Sequence, residues 1–360
     1  MSTIPFPPTS RERGNPPSSG GHLMDERAES TMPPFEPVFE VMALRDYWEI
    51  RTTDADRILG AAIFTSERER LSELNSHEHI SNLQPVKTES WVELYRFRNE
   101  SGFPAIARSQ NAELSISHTG DFAFGHWETP LPSPGLVEET TLRAYRAILD
   151  ALRRLNHLHL WRCWNVIPDI HERENDLDHY MQFCLGRHSA LVTEGKLPGG
   201  QLPAASAVGT RDNRFQISFI AGKAKGETFE NPEQISAYAY PRQYGPASPS
   251  FSRSLFAGNH LWLSGTASIA GHRSIHTADL SAQVYETAAR IKTLIESVQN
   301  EKHAPVKPPQ HLKVFLRNRD TADELTPVLR AAFPEGTSYH LVEADICRED
   351  LLIEIEGVTT

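Results

Sequence analysis

The C-terminal stretch LVEADICREDLLIEIEG, residues 341–357, carries the pattern from which we predict the fold. Its pattern is typical of a β-hairpin, with one strand over residues 341–346, a turn over 347–350 and a second strand over 351–356.

The second strand of this hairpin has two different faces. Carboxylates on a strand are most often exposed to solvent, and this is the simplest interpretation of the polar face. A catalytic role for Glu354 therefore needs support from other parts of the chain. The alternation places Leu351, Ile353 and Ile355 on one face, and Leu352, Glu354 and Glu356 on the other.

Upstream of the hairpin, the pattern predicts the order β-β-α-β-α-β-β twice. Such an order favours two α+β units, each with a mixed sheet covered by helices on one face. We expect strands within residues 36–64 and a strand pair with a Thr-Gly turn over 112–128. The predicted helices are 140–155, 177–193, 282–298 and 321–333, and the further strands are 159–167, 204–208, 215–221, 261–269 and 311–316.

The two copies can be laid over each other without a gap at their ends. Residues 203–222 then match residues 338–357, Phe219 stands opposite Glu354, and Ala221 stands opposite Glu356. In this register one copy of the strand forms without carboxylates. The comparison is the first reason to give Glu354 a role beyond that of a solvated side chain.

Composition limits the classes of function. The chain has 360 residues and a formal net charge of -11, which argues against nucleic acid as a partner. No apolar run is long enough to span a membrane, so we expect no membrane partner. Three isolated cysteines suit the cytoplasm, and the spacing of the 16 histidines predicts no metal site.

The predicted organisation is a disordered tail over 1–35, a first domain over 36–230 and a second, catalytic domain over 231–360.

The second half, from about residue 261 to 358, resembles the RidA/YjgF family. The matching features are the turn Ser264-Gly265, the helix AQVYETAARI, the strand KVFL and the terminal EIE. The resemblance implies two fused RidA/YjgF-like α+β units in a pseudo-symmetric arrangement, with a site lined by both halves and a monomeric protein. The deaminases of that family bind the substrate carboxylate with an Arg fifteen residues before the first Glu of EIE, and here that position is Tyr339. This difference weakens an imine deaminase interpretation.

Further motifs are longer and more specific. They are WRCWNVIP (161–168), YMQFCLGR (180–187), SAYAYPRQYGPASPSFSR (236–253), SGTASIAGH (264–272) and the closing stretch. Together they resemble the chorismatase family over nearly everything from residue 161 to the end. The resemblance implies cleavage of the dianion chorismate into pyruvate and either a dihydrodiol or a hydroxybenzoate. It implies no metal and no organic cofactor.

The first chemical requirement is a general acid that protonates the enolpyruvyl methylene. A free Glu titrates near 4.3, so the acid must have a raised pKa. Apolar residues flank Glu354, and burial and a bound dianion both raise a carboxyl pKa. The resemblance places the catalytic Glu at this position, and Glu356 is interpreted as a neighbour or a surface residue.

The second requirement is a set of cations for two carboxylates, and for each the alternative is an ordinary surface charge. We expect Arg162, which lies between two Trp, and Arg253, which ends a Gly/Pro-rich loop, to be the least solvated. Tyr240 and Tyr244 on the same loop are predicted donors, with packed loop aromatics as the alternative. The candidate cations are Arg162, Arg187, Arg242, Arg253, Lys313 and Arg317, and all except Arg242 are assigned to substrate binding.

The third requirement concerns the product. The resemblance associates a Cys seven residues before the catalytic Glu with the subtype that forms 3-hydroxybenzoate, and Cys347 occupies that position. Gly265 fits the same subtype and is assigned to the substrate site, whereas the alternative for Cys347 is a buried turn residue. A mixed 3- and 4-hydroxybenzoate product, a dihydrodiol product, an imine deaminase and a non-catalytic sensor remain as other interpretations.

Overall fold

The structure is a computed structural model that describes part of the chain. The described residues are 37–67, 71, 74–86, 90–98, 103–131, 136–156, 158–174, 176–193, 201–302 and 304–359. The predicted disordered tail, residues 1–35, lies outside them. No helix within these ranges is both long enough and apolar enough to cross a membrane.

The N-terminal part forms a four-stranded sheet with one helix. Strands were expected here, but the helix was not, because its short sequence LRDYWEIRTT has no clear apolar stripe. The sheet order is β1-β5-β2-β3, and β4 pairs with a strand near the C-terminus instead. The elements are β1 (Val38–Ala43), α1 (Leu44–Thr53), β2 (Ile58–Phe64), β3 (Glu78–Ile80), β4 (Gln84–Pro85) and β5 (Trp91–Arg96).

The first repeat unit is a six-stranded sheet in the order β12-β9-β13-β8-β7-β6. Helices α2 and α3 pack on one face of it, as the apolar spacing of α2 predicts. Its elements are β6 (Ala107–Gln110), β7 (Leu114–His118), β8 (Phe122–Pro130), α2 (Val137–Arg154), β9 (His159–Pro168), β10 (Arg173–Glu174), β11 (Leu177–Asp178), α3 (His179–Thr193), β12 (Ala204–Thr210) and β13 (Arg214–Gly222).

The second repeat unit is a seven-stranded sheet in the order β14-β15-β16-β21-β19-β20-β4. Its helices α4 and α5 also cover one face. The elements are β14 (Glu227–Phe229), β15 (Ser254–Ala257), β16 (His260–Thr266), β17 (Ile269–Ala270), β18 (Arg273–Ser274), α4 (Leu280–Lys302), β19 (His311–Leu316), α5 (Ala322–Ala332), β20 (Ser338–Glu343) and β21 (Ile353–Thr359).

The two units share one topology. The run β7-β8-α2-β9-α3-β12-β13 in the first corresponds to β15-β16-α4-β19-α5-β20-β21 in the second. The predicted fold class, α+β with two fused units of the same topology, is confirmed. The domain boundary at residue 230 stays a prediction, although β14 already pairs with β15 in the second sheet.

The predicted closing hairpin is wrong. Strands β20 and β21 are not hydrogen-bonded to each other, because β19 lies between them. β20 pairs with β19 in parallel, and β21 pairs with β19 in the antiparallel direction. A short connection between two strands favours a hairpin from sequence, but the partner that separates them is set by long-range pairing.

The gapless repeat register is also wrong at Glu354. Phe219 faces the helices of its unit and belongs to their apolar core. Glu354 lies on the opposite face of β21, since its neighbours Ile353 and Ile355 face the helices. A shift of one residue exchanges the two faces of a strand, so Phe219 is not the counterpart of Glu354.

Apolar residues from the three sheets meet on the faces that the helices leave free. One shared cluster includes Phe64 from the N-terminal sheet, Val208 from the first unit and Phe315 from the second. The two repeat units also meet directly, where the Ala205 N–H donates to Ser264 Oγ at 2.8 Å. Glu354 and Glu356 therefore point to the interior of the molecule rather than to solvent.

Candidate active site

A cavity of about 420 Å³ lies between the two repeat units. The first unit contributes α3 and β12, and the second contributes the loop before β15, strand β16, the connection between β20 and β21, and Glu354 of β21. A site lined by both units was expected from the repeat. Its lining includes seven of the ten residues assigned from sequence, namely Arg187, Tyr240, Tyr244, Arg253, Gly265, Cys347 and Glu354.

Helix α3 presents one face to this cavity. Tyr180, Phe183, Cys184 and Arg187 are spaced three to four residues apart and all line it. Arg187 is only 2% exposed, and its Nε and Nη2 atoms have no hydrogen-bond partner among the described residues. Buried donors are almost always paired, so free N–H groups at a cavity wall indicate a ligand with acceptor oxygens.

A second buried guanidinium comes from the loop before β15. Arg253 is 3% exposed and donates from Nη2 to the Tyr240 hydroxyl at 2.7 Å and to the Ile235 carbonyl at 3.2 Å. Its Nε has no partner among the described residues. The Tyr244 hydroxyl, from the same loop as Arg253, lies 3.1 Å from Nδ1 of His272 in the turn between β17 and β18. This loop thus offers one fixed cation and two phenol groups to the cavity.

Glu354 is a buried carboxyl with few partners. It is 5% exposed, and its Oε1 has no hydrogen-bond partner within the described ranges. Burial raises the pKa of Glu354 to about 8, the charge of Glu356 adds to this increase, and Arg162 and Arg253 act in the opposite direction. The carboxyl is therefore mainly neutral at pH 7, as a general acid must be.

Gly265 of β16 faces the Glu354 carboxyl directly. A Cβ at this position would lie 1.9 Å from Glu354 Oε1 and 3.0 Å from Ser206 Oγ. Any side chain there would displace the carboxyl group. The absence of a side chain at residue 265 thus sets the position of the acid.

Cys347 lies beside Glu354 and is half-buried. Burial raises the pKa of its thiol to about 12, and the Glu354 charge contributes in the same direction. The group is a neutral thiol at pH 7 rather than a thiolate nucleophile. Its side chain forms part of the cavity wall and contributes a weak hydrogen-bond donor, the S–H group.

Three cations assigned to substrate binding do not line the cavity, and this corrects the prediction. Arg162 and Lys313 are buried, but both bind the Glu356 carboxylate, and Lys313 also binds Glu93 at 2.8 Å. Arg317 donates to the carbonyl oxygens of Glu349 and Arg348, so it holds the connection before β21 from behind. The residue type of these side chains predicted their positive charge, but it did not predict which groups each of them binds in the folded protein.

The interpretation of Glu356 as a surface residue is wrong as well. It is 4% exposed and fully bound by donors from the first and second units. The alternation of β21 predicts that it shares a face with Glu354, and the structure confirms this. What alternation does not predict is that another layer of protein covers that face.

Sequence reasoning missed Arg348. This residue lines the cavity next to Cys347, and its guanidinium lies 3.9 Å from the ring centroid of Tyr244. It donates from Nη1 to the His272 carbonyl at 2.9 Å. Its position beside Cys347 in the sequence was the available signal.

Tyr339, at the position where related deaminases carry Arg, is turned away from this site. Its hydroxyl donates to the Leu329 carbonyl of α5 at 3.1 Å, and the residue does not line the cavity. The missing anion anchor is thus not replaced by the Tyr339 hydroxyl.

Comparisons with known proteins agree on one family. A family model described as chorismatase FkbO/Hyg5-like, N-terminal, matches residues 91–221. A 3-hydroxybenzoate synthase from Streptomyces hygroscopicus is 30% identical over 270 residues, which are 70% of this chain and 78% of the relative. A chorismatase from Streptomyces rapamycinicus is 30% identical over 72% of this chain and 83% of the relative. A chorismatase crystal structure superimposes with a TM-score of 0.78 and 25% identity, covering 91% of this chain and 99% of that one.

Proposed function

The chain belongs to the chorismatase family, and from this premise we propose that it converts chorismate into 3-hydroxybenzoate and pyruvate without a cofactor. The observation that carries the proposal is one cavity with a neutral buried carboxyl and two buried guanidinium groups that have free N–H donors. A dianion with an acid-labile enol ether matches these groups in both charge and chemistry.

The first step is proton transfer from Glu354 to the terminal methylene carbon of the enolpyruvyl group. The π electrons of the C=C bond form the new C–H bond, and the positive charge develops at the ether-bearing carbon and its oxygen. The Glu354 carboxylate that remains stabilises this oxocarbenium ion electrostatically. Arg187 and Arg253 bind the two substrate carboxylates and hold the methylene carbon against the acid.

The second step decides the aromatic product. Water can add to the oxocarbenium carbon, and collapse of the resulting hemiketal breaks the bond between that carbon and the ether oxygen, which releases pyruvate and leaves a dihydrodiol. Alternatively, the C4 hydroxyl oxygen attacks ring C3 while the C3–O ether bond breaks, so that pyruvate leaves with the ether oxygen and the hydroxyl proton passes to the Glu354 carboxylate. Opening of the resulting epoxide at its C4–O bond and loss of the C3 proton then leave 3-hydroxybenzoate. We assign control of this branch to the Cys347 thiol and to the space at Gly265. The name of the 3-hydroxybenzoate synthase relative supports the aromatic product.

A direct assay tests the proposal. The purified protein is incubated with chorismate, pyruvate is coupled to lactate dehydrogenase, and the aromatic products are separated by chromatography. Release of pyruvate with 3-hydroxybenzoate is expected. No pyruvate would overturn the whole proposal, a dihydrodiol would overturn the product, and additional 4-hydroxybenzoate would indicate the mixed subtype.

Cys347→Ala is expected to change the products more than the rate of pyruvate release. The substitution removes a neutral thiol beside the acid without adding or removing charge, so protonation continues while water gains space near the cation. The ratio of dihydrodiol to 3-hydroxybenzoate, measured by chromatography, should rise several-fold. Cys184→Ala is the matched control, because Cys184 is the other thiol of the cavity and burial also raises its pKa to about 12. An unchanged product ratio in the Cys347 variant would assign that residue a structural role only.

Gly265→Ala is expected to lower kcat for pyruvate release about tenfold, since small displacements of a catalytic group are costly. The new methyl group would occupy a point 1.9 Å from Glu354 Oε1, so the carboxyl must move away. Steady-state kinetics with chorismate measure the effect, and the melting temperature checks the fold. A wild-type kcat with a wild-type product ratio would show that Gly265 does not position the acid.

We also propose that the protein acts as a monomer in the cytoplasm. One chain supplies both sides of the cavity, which supports a site that is complete without a second copy. The three cysteines, all within the described residues, form no disulfide there, which suits a reducing compartment. Light scattering after size-exclusion chromatography gives the mass in solution, and a stable dimer would contradict the first part.

A further inference from the structure

A buried cluster of charges lies behind the active-site cavity and has no role in the steps above. Its centre is Glu356, which shares a face of β21 with Glu354 and lies about 7 Å away along the strand. Glu356 is 4% exposed but does not line the cavity. A charge buried at this cost needs an explanation.

The Glu356 carboxylate is saturated with donors from three strands. Oε2 accepts from Arg162 Nη2 and from Ser206 Oγ, and Oε1 accepts from Trp164 Nε1 at 2.8 Å and lies 2.8 Å from Lys313 Nζ. Lys313 is itself held by Glu93, at 2.8 and 3.0 Å. Four donors, two of them cationic, fix Glu356 as an anion.

Glu354 has the opposite environment. Its Oε1 has no donor among the described residues, although the side chain is equally buried. Two carboxyl groups with the same burial and the same strand face thus differ only in their partners. Pairs whose environments differ in this way separate into one ionised and one neutral group.

We propose that Glu356 is a positioning residue, held permanently ionised by Arg162, Lys313, Trp164 and Ser206, and that its fixed negative charge keeps Glu354 in the protonated form that donates the proton. The proposal rests on the proposed function of Glu354 as the general acid. It assigns a task to the buried cluster, which otherwise costs desolvation without serving the site.

The charges around Glu354 agree with this assignment. Burial acts to raise the pKa of Glu356, but Lys313 and Arg162 outweigh it, so the pKa of Glu356 is lowered. For Glu354, Glu356 is the strongest charged neighbour, and it opposes ionisation. The groups that surround Glu354 from other elements are Arg162 of β9, Arg253 before β15, Tyr180 and Arg187 of α3, and Cys347 and Arg348 of the connection before β21.

The sign of the pH dependence follows directly. The active form is protonated Glu354, so kcat/KM falls as the pH rises through about 8, the pKa of Glu354 in the free enzyme. Without the charge on Glu356, Glu354 ionises more easily, so kcat/KM must begin to fall at a lower pH. The substitution also leaves Arg162 and Lys313 without the Glu356 counter-ion, and their positive charges likewise favour the ionised form of Glu354.

The experiment compares the pH profiles of kcat/KM for the wild type, Glu356→Gln, Glu356→Asp and Glu93→Gln. In Glu356→Gln we expect the descending limb to move to lower pH by one unit or more, which is a tenfold loss of kcat/KM well above pH 8. Glu356→Asp keeps the charge, so its limb should stay near that of the wild type even if its maximum is lower. Glu93→Gln perturbs the same cluster from β5 and should move the limb less than half as far.

Two outcomes would overturn the proposal. One is a Glu356→Gln enzyme with a lower rate at every pH and an unmoved limb, which would indicate a purely structural role. The other is an equal shift in Glu93→Gln, which would assign the effect to the integrity of the cluster. Failure of the proposed function is separate from both, because it would appear as normal turnover in Glu354→Gln.

Infrared difference spectroscopy tests the same point without turnover. A carboxylic acid band that disappears in Glu354→Gln should titrate near pH 8 in the wild type. Glu356 should contribute no acid band at pH 5 or above, since its donors keep it ionised. An acid band from Glu356 in that range, assigned by its absence in Glu356→Asp or Glu356→Gln, would overturn the proposal even if one of these variants were unstable.

Discussion

Glu354→Gln is expected to lower kcat for pyruvate release by about 10²–10⁴-fold, the usual contribution of a positioned general acid. Gln has the same shape as protonated Glu, so it fits the space opposite Gly265. Its amide cannot transfer a proton to carbon, because the conjugate base of an amide is far too basic. The enol ether then depends on protonation by water.

Binding should survive this substitution. Glu354 is mainly neutral at pH 7, and the neutral amide therefore leaves the net charge of the cavity almost unchanged. Calorimetry with chorismate, or with a stable dianionic analogue, measures this, and a dissociation constant within threefold of the wild type is expected. A kcat within tenfold of the wild type would show that another group donates the proton.

Arg187→Met is expected to weaken binding of chorismate about 100-fold. Two charge-assisted hydrogen bonds from Nε and Nη2 would be lost, each worth about 1.5–3 kcal/mol, and 1.4 kcal/mol is a factor of ten in affinity. Both donors are unpartnered in the described part of the chain, so their removal breaks no internal hydrogen bond at these atoms. The Met side chain fills most of the space against Tyr145 and Phe183, over which the guanidinium lies.

Arg187→Lys separates charge from geometry. It keeps the positive charge but loses the planar fork, so a loss between that of Arg187→Met and the wild type is expected. Arg242→Met is the matched control, because Arg242 lies nearby in an exposed turn and does not line the cavity. Dissociation constants from calorimetry and KM from the coupled assay report the effect. Equal losses in Arg187→Met and Arg242→Met would indicate general electrostatic attraction rather than a bidentate site.

Local patterns in the sequence predicted most of the repeat. The apolar spacing of α2 predicted a helix over residues 140–155, and the helix is Val137–Arg154. The strand HLKVFL was predicted over 311–316, and β19 has those bounds. Such elements depend on a period of 3.6 or 2 within a short window, which the sequence displays directly.

The errors concern strand pairing and the face of a strand on which a side chain lies, because both depend on distant residues. The connection between β20 and β21 looked like a hairpin because no local signal shows that β19 lies between them. The repeat register was wrong at Phe219 because a single-residue shift changes the face of a strand while leaving its apolar content similar. The helix α1 was missed because its apolar residues do not form a clear stripe.

The sequence by itself determined the order of elements within the two repeat units, the two faces of β21 and, through family resemblance, the assignments of Glu354 as the proposed acid and of Cys347 as its neighbour. Only the tertiary structure decided which polar groups meet. Arg162 and Glu356 are 194 residues apart in the chain, yet they form a buried pair. Alternation states that Glu354 and Glu356 share a face, but their protonation depends on donors supplied by other strands. The reason is physical: a pKa reflects burial and charges within a few ångströms in space, and sequence distance does not measure either.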